Sequence, residues 1–293
     1  MDTTPPAATR ASPSPISGSF FADFLGGARA AFGGFKWPLR DRRVALWTGL
    51  AIVVYVGIWT AAMWAAAHWD ERVVKLLLWP RGPAWWQSAL YEIAQALLYT
   101  VYWLAAVVMT FVVALPAVSP IFAFVAEATE NAYFGDPIAH ASSMSELVRE
   151  LVLSVGRSLL LVCVHVAGSL TIWMVGFGAG LLFPPAASVV SVTVGGAWSA
   201  LWIAMATMSW VMENNRAPLA QQLRLLTGQP GLLLGFGLIA QVLAWVPVTA
   251  PLVVVSSTVL VCRLNEHGQC ALPLRDGHRR SRDSALSNPQ VAL

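Results

Sequence analysis

Proline-interrupted apolar runs constrain the fold of this chain more than any other feature of its sequence. The run Ala94–Ala114 is apolar enough to cross a bilayer, and it continues into Leu115–Glu130, which contains Pro116 and Pro120. Proline removes a backbone donor and disfavours helix at the preceding residue, so we expect the helix to kink or break there. Because lipid satisfies no free N–H or C=O group, such a break must pack against protein or line a polar cavity.

A second run, Gly231–Cys262, repeats this pattern near the C-terminal end of the chain. Pro247 and Pro251 divide it into halves of about fifteen residues, whereas one bilayer crossing needs about 20. The pattern therefore predicts a hairpin that enters the membrane and returns on the same side. Its polar side chains, Thr258 among them, are then expected to lie against protein.

The overall composition is that of an integral membrane protein. Hydrophobic residues make up 57% of the 293 residues and charged residues 11%, with a mean hydropathy of +0.64. Soluble domains carry roughly a quarter charged residues. The lipid bilayer is thus the expected surrounding of the chain, and nothing in the distribution of its charges indicates a nucleic acid partner.

The segments between these runs complete an all-α architecture. The first span is predicted at Val44–Ala67, and two further apolar runs, Ser158–Leu182 and Ser188–Met212, are joined so closely that they must be antiparallel neighbours. Phe20–Phe35 has the spacing of a short interfacial helix. We expect two long transmembrane helices, Pro-broken and partly penetrating helical hairpins, and this N-terminal interfacial helix.

Basic residues predict the orientation of the chain. Lys and Arg are in excess at both ends, which favours cytoplasmic N- and C-termini and an even number of crossings. The composition of the ends predicts disordered cytoplasmic tails at residues 1–19 and 264–293, with a membrane domain at 20–263.

The arginines near the first span are the strongest candidates for binding a ligand. Arg29, Arg42 and Arg43 could hold a tetrahedral oxyanion through their guanidinium groups, together with backbone N–H groups near Gly27. The alternative is that these residues only orient the chain and meet anionic headgroups.

Other polar residues give weaker signals. Glu127 and Glu130 share one helix face and are expected to leave the membrane as a solvated or salt-bridged face rather than as an acid–base pair. His165, within an apolar run, is expected to bond to a carbonyl of a neighbouring helix, with a proton or ligand role as the alternative. The sequence contains no convincing catalytic constellation, cofactor motif or metal-ligand spacing, so we do not expect an enzyme.

Five short motifs also follow one another along the chain. They are Gly27-Ala28-Arg29, Arg42-Arg43, Ser119-Pro120 with Glu127 and Glu130, Glu213-Asn214-Asn215-Arg216-Ala217-Pro218, and Trp245-Val246-Pro247 through Ser257-Thr258. In this order, over about Phe20 to Arg263, they resemble the CysZ sulfate-permease and etoposide-induced transmembrane protein family.

The resemblance implies a multi-pass protein of the bacterial inner membrane that forms homo-oligomers and, in the permease branch, takes up sulfate. It adds Pro120, Arg216, Pro218 and the second hairpin to the residues expected along the pathway. The chain departs from the family pattern at its anion motif, where Pro38-Leu39-Arg40-Asp41-Arg42-Arg43 replaces Pro-Gly-hydrophobic-Arg-Arg. The change removes a glycine and adds a carboxylate.

Overall fold

The chain folds into α-helices, and no strand occurs among the residues described. The computed structural model describes residues 19–78, 83–135, 144–270 and 272–273. The helices are α1 (Phe20–Gly33), α2 (Trp37–Arg40), α3 (Arg42–Leu77), α4 (Trp85–Phe134), α5 (Met144–Leu182), α6 (Pro184–Val189), α7 (Gly195–Asn214), α8 (Leu219–Gly228), α9 (Pro230–Ala244) and α10 (Ala250–Glu266). A π-helical turn, Val190–Val194, joins α6 to α7.

The first spanning helix is longer than predicted. α3 has 36 residues and continues past the predicted end at Ala67 to Leu77. An ion pair between Glu71 and Lys75, four residues apart with 2.8 Å between Oε2 and Nζ, supports this last part of the helix. At about 54 Å, α3 exceeds a hydrocarbon thickness of about 30 Å and must extend beyond it.

Of the kink or break predicted at Pro116 and Pro120, the break is wrong. α4 is one helix of 50 residues that contains both prolines. The two missing N–H groups are four residues apart and so fall on one helix face, while the residues that follow are held by neighbouring helices. Phe122 and Val125 are buried in that packing, and their burial offsets the cost of proline inside a helix.

The predicted break in the second run is confirmed. α9 ends at Ala244 and α10 begins at Ala250, with Pro247 in the turn and Pro251 in the first turn of α10. The two helices have 15 and 17 residues, each shorter than the usual crossing of about 20. α8 meets α9 at 99°, so the chain also turns sharply where the hairpin begins.

Four helical segments among the described residues are long and apolar enough to cross a membrane, so the expectation of two long spans is too low. They are Arg42–Leu77, Trp85–Val107, Val155–Leu182 and Ala187–Asn214. The last two form the antiparallel pair predicted from their short connection, but at 28 residues each they have the length for complete crossings.

The folded part extends beyond residue 263. α10 continues to Glu266, and a turn with Gly268 at a φ of 70° then brings the chain back. Cys270 and Leu272 are buried there, and the Leu272 amide donates to Asn265 Oδ1 at 3.1 Å. Residues 1–18 and 274–293, the rest of the predicted tails, lie outside the described residues.

Glycines bring α1 and α9 into backbone contact. A Cβ atom at Gly27 of α1 would lie 1.9 Å from the Leu232 carbonyl oxygen, and one at Gly235 of α9 would lie 1.9 Å from the Phe24 carbonyl oxygen. Gly231 faces Phe20 one turn earlier, so α9 presents a Gly-x-x-x-Gly surface to α1. α1 is thus a packed helix as well as an amphipathic one.

Adjacent glycines in α1 provide a test of this contact. We expect Gly27→Ala to lower the free energy of unfolding by about 1–3 kcal/mol, because the new methyl group meets backbone that cannot move aside. Gly26→Ala is the matched control, since its Cβ would meet Leu232 Cδ1 at an ordinary 3.7 Å and alanine is the better helix former. Thermal unfolding in detergent compares the two variants, and equal stability would contradict the proposed contact.

Candidate functional site

The basic residues at the start of α3 are exposed, and a carboxylate lies among them. Arg29, Arg42 and Arg43 all reach solvent. Asp41 is the N-cap of α3, and its Oδ1 accepts hydrogen bonds from the amides of Arg43 at 2.8 Å and Val44 at 3.0 Å. Two of the amides that a bound oxyanion would use are therefore occupied by the chain itself. An anion at this end must be held mainly by guanidinium groups.

Gly27 lies apart from this exposed surface. It is buried inside α1, against Leu232 and Phe236 of α9. A glycine is needed at this position because α1 and α9 pack closely there. We expected backbone N–H groups near Gly27 to bind an anion. The buried position of Gly27 does not support that role.

A buried carboxylate joins α4 to the end of α7. Glu130 has no exposed surface, and its Oε2 accepts a hydrogen bond from Asn215 Nδ2 at 2.9 Å. Asn215 is equally buried, and the same nitrogen donates to the Val211 carbonyl at 2.9 Å. Of the two alternatives expected for Glu130, solvated or salt-bridged, the solvated one is wrong, because the turn after α7 covers the side chain. Glu127, one turn earlier, is half-buried.

The turn from α7 to α8 has a fixed backbone. Arg216 is exposed and adopts a φ of 55°, a left-handed conformation that is uncommon for a residue with a side chain. The amides of Arg216 and Ala217 close the turn by donating to the carbonyls of Glu213 and Met212, each at 2.8 Å. Pro218 then precedes the first residue of α8. This geometry holds Asn215 against Glu130.

Asn214 adds a second link between α7 and α4. Its Nδ2 donates to the Ala123 carbonyl at 2.9 Å. Together, Asn214 and Asn215 attach one end of α7 to two successive turns of α4. The two asparagines of the motif Glu213-Asn214-Asn215 thus connect α7 to α4.

The hydroxyl groups of α10 are buried and bonded. Ser256 Oγ accepts from the Gly34 amide at 3.1 Å, and Ser257 Oγ donates to the Thr207 carbonyl of α7 at 2.9 Å. Thr258 Oγ1 donates to Val254 of its own helix at 2.8 Å. The prediction that these polar atoms lie against protein is confirmed, and Ser256 and Ser257 connect α10 to its neighbours.

The predicted pathway prolines belong to different elements of the structure. Pro120 is half-buried inside α4, and Pro251 is buried at the start of α10. Pro247 lies in the turn between α9 and α10, whereas Pro218 is exposed before α8. They shape three separate parts of the chain.

His165 packs between aromatic rings. Its ring stacks on Trp202 with 5.4 Å between centroids and on Trp198 with 6.4 Å. The predicted bond to a neighbouring carbonyl is not made by Nδ1, which has no partner among the described residues. Instead, the His165 carbonyl accepts from Trp198 Nε1 at 3.4 Å. This contact ties α5 to α7.

Tyr133 connects the ends of α4 and α10. Its hydroxyl donates to Glu266 Oε2 at 2.8 Å, and its ring lies 5.7 Å from that of Trp37. Burial, together with the neighbouring Glu266 carboxylate, raises the pKa of Tyr133 well above its ordinary value. The hydroxyl therefore remains a donor at physiological pH.

Long apolar helices, a short hairpin and buried polar links define a multi-pass α-helical membrane protein. Comparison with family models agrees with this class and narrows it. The chain belongs to the family of sulfate transporter CysZ and etoposide-induced protein 2.4, whose model matches residues 30–254. A comparison with curated proteins finds no match. The family match covers the arginines of α3, Glu130 and the α7–α8 turn.

Asn215 and Asn214 provide a test of the link between α4 and α7. Asn215→Ala should lower the free energy of unfolding by about 3 kcal/mol, because it removes a donor from a buried carboxylate. Asn214→Ala should cost about 1 kcal/mol, since its acceptor is a neutral carbonyl. Thermal unfolding in detergent measures both, and equal losses would contradict the importance of Glu130.

Proposed function

We propose that the protein is a permease for sulfate or a related oxyanion. The observation that carries this proposal is the exposed pair Arg42 and Arg43 at the head of the first spanning helix in a chain of the CysZ family. A guanidinium group offers two parallel donors to one oxyanion, and its charge draws the anion to the membrane surface. Because these arginines face water, they bind weakly enough to release the anion again.

Arg29 extends the same basic surface from α1. Between Arg29 and Arg43, the basic residues also include Lys36 and Arg40, both exposed. The acidic residue among them, Asp41, is engaged by two amides of α3. The net field of this surface is positive, which favours a dianion at this end of the pathway, the cytoplasmic entrance in the orientation proposed below.

The second hairpin is the proposed partner of this entrance. Its turn around Pro247 leaves backbone outside any helix, and α10 carries Pro251 and Thr258 next to α4 and α7. The proposal places Glu127, Glu130, Arg216 and Pro218, at the ends of α4 and α7, along the same route. Irregular backbone within a membrane protein typically serves a substrate route.

The proposed setting is the bacterial inner membrane, with both termini in the cytoplasm and several copies of the chain in a homo-oligomer. The excess of Lys and Arg at the two ends supports the orientation. No enzymatic step is part of the proposal.

A scaffold or stress-linked regulator without transport is the second candidate. Two observations favour it: Asp41 fills the amides at the start of α3, and Gly27 is used for packing. In that case the arginines orient the chain and meet headgroups, and lysine would replace them without loss.

Sulfate uptake by proteoliposomes separates these two functions. We expect the double variant Arg42→Ala/Arg43→Ala to lower the initial rate of labelled sulfate uptake by about tenfold or more, because two charge-assisted donors are lost. The variant Arg42→Lys/Arg43→Lys should recover only part of the rate, since lysine lacks the bidentate geometry.

The matched control is Arg72→Ala/Arg224→Ala, which removes two exposed arginines, one of them near the opposite end of α3 from Arg42 and Arg43. It should leave uptake unchanged. Wild-type uptake no faster than that of protein-free vesicles would reject the permease, and full activity of the lysine variant would favour the scaffold.

A further inference from the structure

Polar side chains recur on one face of the first spanning helix. Thr48, Tyr55 and Trp59 follow one another at intervals of seven and four residues along α3, which places them on the same side. Thr48 and Tyr55 are each 2% exposed, and Trp59 is half-buried. From Thr48 to Trp59 the helix rises about 16 Å, about half of the hydrocarbon thickness.

Two donors on this face have no hydrogen-bond partner among the described residues. Thr48 Oγ1 and Trp59 Nε1 are buried atoms without a hydrogen-bond partner among the residues that the structure describes, and so is Trp210 Nε1 of α7. Other buried threonines differ, since Thr110 and Thr129 each donate to a carbonyl of their own helix at 2.7 Å. A buried donor left unbonded costs stability, so its retention calls for an explanation.

Tyr55 of α3 and Trp210 of α7 both lie next to one aromatic ring of α4. The Phe122 ring of α4 is 6.2 Å from the ring of Tyr55 and 4.8 Å from that of Trp210. Trp210 is 3% exposed, so its indole is deep in the contact between α4 and α7. Phe122 therefore lies next to a polar side chain of α3 and one of α7, and Thr48 and Trp59 share the α3 face of Tyr55.

These groups have the chemistry that suits an anion. An indole N–H donates and cannot accept, while the hydroxyls of Thr48 and Tyr55 can donate. All are uncharged, so they can satisfy the oxygens of an anion without forming an ion pair that would trap it. A cation would find no carboxylate among these side chains.

We propose that Thr48, Tyr55 and Trp59 of α3, with Trp210 of α7, form an uncharged donor row that receives a tetrahedral oxyanion inside the membrane. The inference rests on the proposed permease function and extends it from the surface arginines to the interior. Arg42 and Arg43 concentrate the anion at the entrance, and the donor row replaces part of its hydration shell beyond them.

Thr48→Val tests the row with little change of shape. Removing one hydrogen bond to an anion should raise the KM for sulfate uptake into proteoliposomes by about tenfold. Thermal stability should be unchanged or higher, because an unbonded buried hydroxyl is replaced by a methyl group. If Thr48 had only a structural role, the Thr48→Val variant would not lose affinity for sulfate while keeping its stability.

Trp210→Phe provides a second variant on the opposite helix, and it should raise the KM in the same direction. The matched controls are Thr110→Val, whose hydroxyl bonds to its own helix, and Trp64→Phe, whose side chain is 70% exposed on α3. Both controls should keep the wild-type KM.

A spectroscopic experiment reports binding separately from transport. In protein labelled with fluorotryptophan, the Trp210 resonance can be assigned by its loss in Trp210→Phe. It should shift on addition of sulfate, and the shift should saturate at lower sulfate in wild type than in Thr48→Val. Absence of a shift at saturating sulfate would overturn the donor row.

The outcomes for the two proposals differ. If the wild type takes up sulfate and Thr48→Val and Trp210→Phe do so with unchanged KM, the donor row is wrong and the permease stands. A clear loss of stability in Thr48→Val also overturns the row, since the hydroxyl would then be structural. Wild-type uptake equal to that of empty vesicles overturns both.

Discussion

Backbone contact between helices, which glycine permits, is the interaction on which the rest of this structure depends. Lipid is as apolar as leucine, so helices within a bilayer gain little from burying apolar surface and associate through close packing. α9 uses Gly235 against α1 and Gly237 against α7, where a Cβ atom would come 1.9 Å from the Ala200 carbonyl oxygen. These two contacts draw α1, α7 and α9 together.

The close contacts allow α10 to be enclosed. From Val253 to Cys262 every residue of α10 is buried, including Ser256, Ser257 and Thr258, so its hydroxyls must bond to neighbouring helices or to its own backbone. Glu130 is buried in the same way and is bonded by Asn215. Most interior polar groups thus have structural roles, and the unbonded donors of α3 and α7 differ from them.

The class of the protein and several of its elements could be predicted from local patterns. Hydropathy and length predicted membrane helices, and the prolines at 247 and 251 predicted the second hairpin correctly. The same rule failed at Pro116 and Pro120, because whether proline ends a helix depends on the packing around it. α3 continues past its apolar part because helix formation needs no apolar residues once the helix has begun.

Site residues were harder to predict, since their roles depend on contacts distant in sequence. Glu130 shares a face with Glu127 and suggested a solvated pair, but Asn215, 85 positions away, covers and bonds it. Gly27 beside Arg29 suggested an anion site, whereas its contact lies on α9. The row of Thr48, Tyr55 and Trp59 carries a visible signal, polar residues at helical spacing in a span, but the missing partners are apparent only in three dimensions.

In the proposed permease, the exposed arginines and the uncharged interior donors form one route with two kinds of contact. Sulfate counterflow in proteoliposomes containing the wild-type chain tests this account most directly. Vesicles loaded with unlabelled sulfate should accumulate external labelled sulfate transiently above its equilibrium level, because a saturable pathway exchanges one anion for another. Entry of label without this overshoot, at the rate of protein-free vesicles, would contradict the account.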